Sequence, residues 1–154
     1  MSRRSQIQLT PDEQAAFLRE PHKAALATLD KDGFPHVVAM SFLAKDGAIY
    51  MTSYAKAQKV LNVRRDPRVG VMIETGSQYS EFRAVMIRGH CEVIEDAALV
   101  ESIIRDVAAK QAGRAASPSA ATTSAPKRVA LKIVPEKIAS WDHKKMTAPP
   151  GGAA

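Results

Sequence analysis

The sequence predicts one mainly β domain of the α+β class, a small antiparallel barrel of six strands flanked by short helices. Three observations support this fold class. Short apolar runs are separated by Asp-Gly turns, a long run alternates apolar and polar residues, and only two or three segments have helical periodicity. The length of 154 residues fits a single domain, and 45% apolar with 25% charged residues is the composition of a globular protein.

The first predicted element is a short helix that begins with a capping box. Thr10 supplies the N-cap hydroxyl, Pro11 takes the first helical position, and Glu13 places a carboxylate three residues after the cap. Apolar residues up to Leu18 give this helix a face that can dock, and Pro21 ends it.

Three strands in a meander are predicted next. Ala24–Leu29 and 35–43 are apolar runs joined by a turn at 31–33, where Asp-Gly supplies the positive φ that hairpin turns require. A second Lys-Asp-Gly turn, at 45–47, leads to a strand over 48–53. These runs are apolar on both faces, which favours a core on one side and a subunit or ligand on the other.

The remaining elements continue this mixture of strands and helices. They are a helix over 57–65, strands over 68–74 and 82–93, a helix that follows an N-cap at Asp96 and ends at Gly113, and a last strand over 127–135.

The predicted boundaries give one barrel domain over 9–146. Residues 1–8 are expected to be a disordered N-terminal arm, and 147–154, with two prolines and two glycines, a disordered tail. Residues 114–126 are almost entirely Ala, Ser, Thr and Pro, so they cannot bury a core and should form a flexible loop.

Several classes of protein are disfavoured by the residue types. No apolar run approaches the roughly 18 residues of a membrane-spanning helix, and residues 1–9 have charge without a following apolar stretch, so a cytoplasmic protein is expected. The single Cys91 cannot form an internal disulfide, and the four histidines have no paired spacing, so no metal site is expected. Because Cys91 has no base nearby in sequence and no nucleophile elbow occurs, nucleophilic catalysis is unsupported.

The net charge of +6 predicts attraction to an anionic partner, but charge alone does not identify it. The basic residues are spread along the chain without a recognition-helix, zinc-finger or RNP pattern, and aromatic residues are only 5%. We therefore expect no nucleic-acid partner, and an anionic cofactor stays open.

The segment 51–59 has the clearest chemistry. Two hydroxyls, Thr52 and Ser53, end a strand, and Lys56 and Lys59 lie in the following loop and helix start. Helix N-terminal amides carry partial positive charge, so this arrangement can hold a phosphate. The alternative is an exposed capping region with solvated lysines.

The order of the elements resembles the pyridoxamine 5'-phosphate oxidase-like, FMN-binding split-barrel flavoproteins, and within them the deazaflavin (coenzyme F420) dependent reductases. The resemblance depends on segments 25–29 with 32–35, 59–68, 83–89 and 140–142, and it covers about 9–145. The segment from Lys59 through Asp66-Pro67-Arg68 is its most specific part.

The resemblance implies a homodimer with two cofactor sites at the subunit interface. The cofactor-binding residues that it implies are Val38, Ala39, Met40, Ser41, Met51, Thr52, Lys56, Gln58, Lys59, Ala84 and Trp141. In that comparison Gln58 and Lys59 hold the phosphate, and Lys56 is included by charge only. Trp141, expected just past the last strand, is either a barrel plug or a lid on a flat ring.

Departures from the family pattern also matter. No arginine occupies the second strand, Gln58 stands where the family has an arginine, and the arginine-rich C-terminal signature of the vitamin-forming oxidases is absent. These departures argue against vitamin synthesis and weaken FMN binding. A basic cluster, Arg64, Arg65 and Arg68, would fit a cofactor that has an oligoglutamate tail as well as a phosphate.

The leading hypothesis is therefore an F420-dependent oxidoreductase that transfers hydride from the reduced deazaflavin to a small unsaturated or quinone-like acceptor. An FMN-binding oxidase or flavin reductase of the same fold is the first alternative. A non-catalytic flavin- or tetrapyrrole-binding protein is the second, because fold alone does not guarantee catalysis. No residue is assigned a catalytic role, since the cofactor supplies the chemistry.

Overall fold

The computed structural model describes residues 2–113 and 125–146. The helices are α1 (Arg3–Gln6), α2 (Pro11–Arg19), α3 (Gln58–Arg65) and α4 (Ala97–Ala112). The strands are β1 (Ala24–Leu29), β2 (Pro35–Met40), β3 (Leu43–Lys45), β4 (Ala48–Tyr54), β5 (Arg68–Thr75), β6 (Arg83–Ile94) and β7 (Arg128–Asp142). Among the described residues, no helix is long and apolar enough to span a membrane.

The strands form one antiparallel sheet in the order β2-β1-β5-β6-β7-β4-β3. The two edge strands, β2 and β3, are consecutive in the chain and are joined by Ser41 and Phe42 alone, so the sheet curls into a half-barrel. This confirms the predicted fold class, with seven strands in place of six. The predicted strand 35–43 is interrupted because Phe42 is fully buried at the corner, and its last residue begins β3.

The core lies on the inner face of the curled sheet. The predicted alternation in β6 is confirmed, since Val85, Ile87, Gly89 and Cys91 are all buried. The largest fully buried side chains of this core are Phe17, Phe42, Leu26, Ile49, Met51, Ile73, Ile87, Leu131 and Ile133. Helices α2 and α3 add their apolar faces to it.

Two predicted helix signals have the expected geometry. At α2, the Thr10 hydroxyl accepts from the Glu13 amide at 3.2 Å, and the Glu13 carboxylate accepts from the Thr10 amide at 2.7 Å. At α4, the Asp96 carboxylate accepts from the Leu99 amide at 2.7 Å, and Gly113 ends the helix with φ of 62°. These contacts satisfy amides that would otherwise lack intrahelical partners.

Helix α4 packs on the outer face of the sheet, opposite the main core. Val100 and Ala130 are fully buried there, and Ile94 and Ile104 pack against them. Since Ala130 lies in β7 and pairs with Thr52 of β4, α4 covers the seam between these two strands.

The prediction that the last strand ends at Pro135 is wrong. Strand β7 continues to Asp142, and Trp141 lies within it, paired with Ala84, rather than past its end. A register shift between Arg88 and Gly89 places Pro135 opposite Gly89. A β-bulge tolerates proline, because the ladder is locally disrupted there.

The N-terminal segment contacts the end of β7. Residues of the predicted arm 1–8 include the helical turn α1, and the Ile7 carbonyl accepts a bond from the Asp142 amide at 2.7 Å. A 3-10 turn over Ala125–Lys127 includes the last two residues of the predicted flexible loop 114–126, and 114–124 lie outside the described residues, as does the predicted tail 147–154.

Lys110 fastens the C-terminal end of α4 to the corner of the sheet. Its Nζ donates to the carbonyls of Leu18 at 2.9 Å and Phe42 at 3.1 Å, and it lies 3.4 Å from the centroid of the Phe42 ring. Burial lowers the pKa of Lys110 to about 8.

This lowered pKa predicts a pH-dependent contribution to stability. Between pH 8 and 10.5 the unfolded chain keeps the Lys110 proton and the folded chain releases it. The free energy of unfolding therefore increases as the pH rises through this range. Between pH 7.5 and 10, the free energy of unfolding of wild type should rise by on the order of 1 kcal/mol relative to that of Lys110→Met. This is less than the full pKa shift would give, because Lys110 is only partly buried. Urea denaturation of both proteins at both pH values measures the difference. A difference that is independent of pH would contradict this prediction.

Candidate functional site

A cleft of about 420 Å³ lies between α4, the end of β2 and the outer face of β4. We call it the α4 cleft. Its lining residues are Lys23, Ala39, Met40, Ser41, Thr52, Ile104, Val107, Ala108, Gln111 and Arg128. The wall from α4 is apolar except for Gln111, the other wall carries two hydroxyls and two cations beside Ala39 and Met40, and none of these residues is acidic. The cleft is thus suited to a ligand that combines an apolar body with negative charge.

The α4 cleft brings together four of the residues that the sequence predicts for a cofactor: Ala39, Met40, Ser41 and Thr52. Lys23 donates to the Ser41 hydroxyl at 2.6 Å, and the Gln111 amide donates to the carbonyl of His22 at 3.2 Å. Lys110 and Gln111 thus connect the last turns of α4 to Phe42 and His22, and Lys23 connects the residue before β1 to the residue after β2.

Arg128, the first residue of β7, is a site residue that sequence reasoning missed. Its guanidinium lies 4.3 Å from the centroid of the Tyr54 ring, directly across the β4–β7 ladder. Its Nε is buried and has no hydrogen-bond partner among the described residues. In the sequence, Arg128 follows an Ala- and Ser-rich segment and belongs to no motif, so only the pairing of β7 with β4 could reveal it.

Lys59 lies at the other predicted anion-binding point, in the first turn of α3. Its Nζ donates to the hydroxyl of buried Ser53 at 3.3 Å. The N-cap residue, Ala57, has no side chain that can bond to the first amides of α3, so these donors stay uncapped. They lie at the end of the helix that also carries Lys59. Lys56 is exposed in the preceding loop.

Asn62 fixes α3 on the sheet. It is fully buried, and its Nδ2 donates to the Thr28 hydroxyl at 3.0 Å. Its Oδ1 accepts from Gln58 Nε2 at 2.8 Å and from Arg65 Nη2 at 3.3 Å. Gln58, predicted to help hold the phosphate, is therefore engaged by Asn62 in this structure.

The basic cluster at the end of α3 is engaged within the chain. Arg64 pairs with Glu95 at 2.6 Å, Arg65 donates to the carbonyl of Leu29 at 2.6 Å, and Arg68 pairs with Asp66 at 2.6 Å. The hydrogen bonds from Arg68 lower the pKa of Asp66 to about 2. These contacts support a structural role for the cluster.

Other predicted site residues lie apart from the α4 cleft. Met51 is fully buried in the core, and half-buried Val38 packs against it. Ala84 is buried opposite Trp141. Trp141 is eleven residues along β7 from Ala130, the partner of Thr52, which corresponds to roughly 35 Å of strand.

Two kinds of chemistry find no support in the described residues. Burial raises the pKa of the Cys91 thiol to about 12, so this cysteine is a poor nucleophile. Over 2–113 and 125–146, no group of three His, Cys, Asp or Glu side chains is arranged to hold a metal ion.

Comparison with known families identifies the kind of protein that carries this site. A family model described as pyridoxamine 5'-phosphate oxidase matches residues 10–142. The chain belongs to the pyridoxamine 5'-phosphate oxidase family. The family predicted from the sequence is thereby confirmed. No curated protein matches the chain.

Solved structures agree with membership in the pyridoxamine 5'-phosphate oxidase family. A conserved hypothetical protein from Mycobacterium tuberculosis is 31% identical, with a TM-score of 0.88, over 100% of this chain and 98% of that one. An F420 reductase is 24% identical, with a TM-score of 0.66, over 80% of this chain and 94% of that one. HutZ, the heme storage protein from Vibrio cholerae, is 16% identical, with a TM-score of 0.68, over 86% and 96%. The last two likenesses show the shared fold alone, and the fold occurs in both reductases and storage proteins.

Proposed function

We propose that this protein is an F420-dependent oxidoreductase that reduces a small unsaturated or quinone-like acceptor. The observation that carries the proposal is the α4 cleft, where an apolar wall faces hydroxyls and cations without an acidic residue. A deazaflavin has this combination of properties, an apolar ring system joined to an anionic tail. Membership in a family with flavin-related neighbours, among them an F420 reductase, supports the proposal.

The residues present fit such a cofactor. The volume of about 420 Å³ lies within the range of small-molecule sites. Ile104 and Val107 can pack against a flat ring, and the hydroxyls of Ser41 and Thr52 can bond to its polar edge or to a polyol chain. The buried Nε of Arg128 is a donor for which the described residues provide no acceptor.

The bound deazaflavin would supply the hydride chemistry, and this chain would bind, orient and shield it. Lys59 and the N-terminus of α3 would hold the phosphate, since a full charge and oriented amides act at the same point. Helix α4 would exclude water from one side of the ring. The described residues that line the cleft include no carboxylate, imidazole or thiol, so we assign no general acid.

The proposed site is completed by a second copy of the chain. Trp141 and Ala84 do not line the α4 cleft of their own chain. The outer face of β1, β2, β5 and β6 carries exposed apolar side chains, with Val37 61% and Met86 45% accessible, beside charged residues such as Arg68 and Arg88. A homodimer formed through this face would bury it and bring one chain's Trp141 towards its partner's cleft.

The test is equilibrium binding of F420 and of FMN, followed by fluorescence, to wild type, Lys59→Gln and Lys31→Gln. Lys31 is the control, because it is an exposed lysine in the β1–β2 turn, which adjoins the C-terminal end of α3 at Leu29, whereas Lys59 lies at the N-terminal end. We expect wild type to prefer F420, Lys59→Gln to bind it about 10- to 100-fold more weakly, and Lys31→Gln to match wild type.

Three outcomes would contradict the proposal in different ways. Preference for FMN would make the protein a flavin oxidoreductase or flavin carrier. Unchanged binding by Lys59→Gln would remove the phosphate role of Lys59. Tight F420 binding with no hydride transfer to any quinone or enone acceptor would indicate a non-catalytic binding protein.

A further inference from the structure

We infer that Arg128 is a second anion-binding residue, which binds a carboxylate or phosphate in the tail of the ligand that occupies the α4 cleft. The inference rests on the proposed function and assigns the anionic tail to a named residue. It follows from the position, stacking and unpaired donor of Arg128.

The guanidinium of Arg128 is oriented by an aromatic ring but forms no ion pair with the described residues. Stacking on Tyr54, at 4.3 Å from the ring centroid, fixes its orientation. No described carboxylate lies within 4.0 Å of it, whereas Arg64 and Arg68 both form ion pairs. Its Nε is removed from solvent without an acceptor among the described residues.

The two Nη groups of Arg128 also form no hydrogen bond with the described residues, and unlike Nε they are not buried, so they are the donors that an anionic ligand group can meet. A guanidinium presents its donors in a rigid fork, which matches the two oxygens of a carboxylate or phosphate. Because Arg128 lines the α4 cleft, a bound ligand can present such oxygens to it.

The placement of Arg128 relative to Lys59 indicates which part of the ligand it binds. Lys59 bonds to Ser53, and Arg128 stacks on Tyr54, so the two cations attach to adjacent residues at the end of β4. Adjacent strand residues face opposite sides of a sheet, so the cations approach this strand end from different sides. A tail with separate phosphate and carboxylate groups offers one anion to each cation, whereas a ligand with a single phosphate can pair with only one of them.

The experiment compares ligands with and without the tail. Wild type, Arg128→Gln and Lys127→Gln are titrated with F420 and with its tailless precursor, the deazaflavin that ends in a free ribityl hydroxyl. Lys127 is the control, because it is the preceding residue, is also positively charged and is exposed. We expect Arg128→Gln to bind F420 about 10- to 100-fold more weakly and the tailless ligand as wild type does, with Lys127→Gln unchanged towards both.

If Arg128 has only a structural role, Arg128→Gln will bind both ligands more weakly by the same factor. If Arg128 has no role, Arg128→Gln will bind both as wild type does. Each result overturns the inference. Tyr54→Phe should keep F420 affinity and Tyr54→Ala should lower it, since the ring orients the guanidinium. Equal affinity in these two variants would overturn the orienting role of the ring.

The same variants separate failure of the inference from failure of the proposed function. If wild type prefers FMN, the pair FMN and riboflavin replaces the deazaflavin pair. A loss confined to FMN in Arg128→Gln then supports the anion role of Arg128 while the F420 assignment fails. Wild-type protein that binds neither pair overturns both.

Discussion

Replacing Gly89 with alanine is expected to lower the free energy of unfolding by more than about 3 kcal/mol. A Cβ at this position would lie 2.1 Å from the carbonyl oxygen of Val134 and 3.2 Å from the Cα of Pro135. Both are backbone atoms of β7 at the bulge, so the clash cannot be relieved by a side-chain rotation. Urea denaturation followed by circular dichroism measures the loss.

The matched control for Gly89 is Gly70, in the adjacent strand β5. A Cβ there would meet only the Cβ of Ala27, at 3.8 Å, which is ordinary contact. Gly70→Ala should therefore change the free energy of unfolding by no more than about 1 kcal/mol. Equal stability of the two variants would show that the β6–β7 bulge yields more easily than its backbone contact indicates.

Replacing Asn62 with alanine is expected to cost about 2–4 kcal/mol of stability and to weaken cofactor binding as well. The variant leaves the hydroxyl of Thr28, itself buried, without the amide that donates to it, and it removes the acceptor of Gln58 and Arg65. Since Asn62 anchors α3 on β1, its loss should also loosen the helix that carries Lys59. Denaturation and ligand titration measure the two effects.

Leu61→Ala is the control for Asn62, because Leu61 is the preceding residue of α3 and is 48% exposed. Its effect on stability should stay below about 1 kcal/mol, since leucine and alanine are both good helix formers. A double variant with Thr28→Val should lose less than the sum of its parts, because the two side chains share one hydrogen bond. Simple additivity would contradict the coupling.

Local signals in the sequence are sufficient to predict much of the fold. The capping box at Thr10, the cap at Asp96 and the Asp-Gly turns all act within a few residues, so they are visible without the tertiary structure. The alternation in β6 is visible for the same reason, since one face of that strand is buried.

Other features depend on contacts between distant residues. The α4 cleft combines β2, β4, α4 and the start of β7, and Arg128 gains its place only because β7 pairs with β4. Pro135 predicts the end of a strand, and only the bulge opposite Gly89 explains how β7 passes through it. Phe42 interrupts a continuous apolar run because the sheet must curl at that corner.

The sheet order also constrains the sequence of events during synthesis on the ribosome. Strands β3 and β4 emerge early, yet β4 pairs over a long range only with β7, the last of the described strands. Until β7 has been translated, the β3–β4 hairpin cannot join the sheet formed by β2, β1, β5 and β6, and its apolar residues stay uncovered. The nascent chain should therefore become resistant to proteases in one late step, when β7 inserts between β6 and β4.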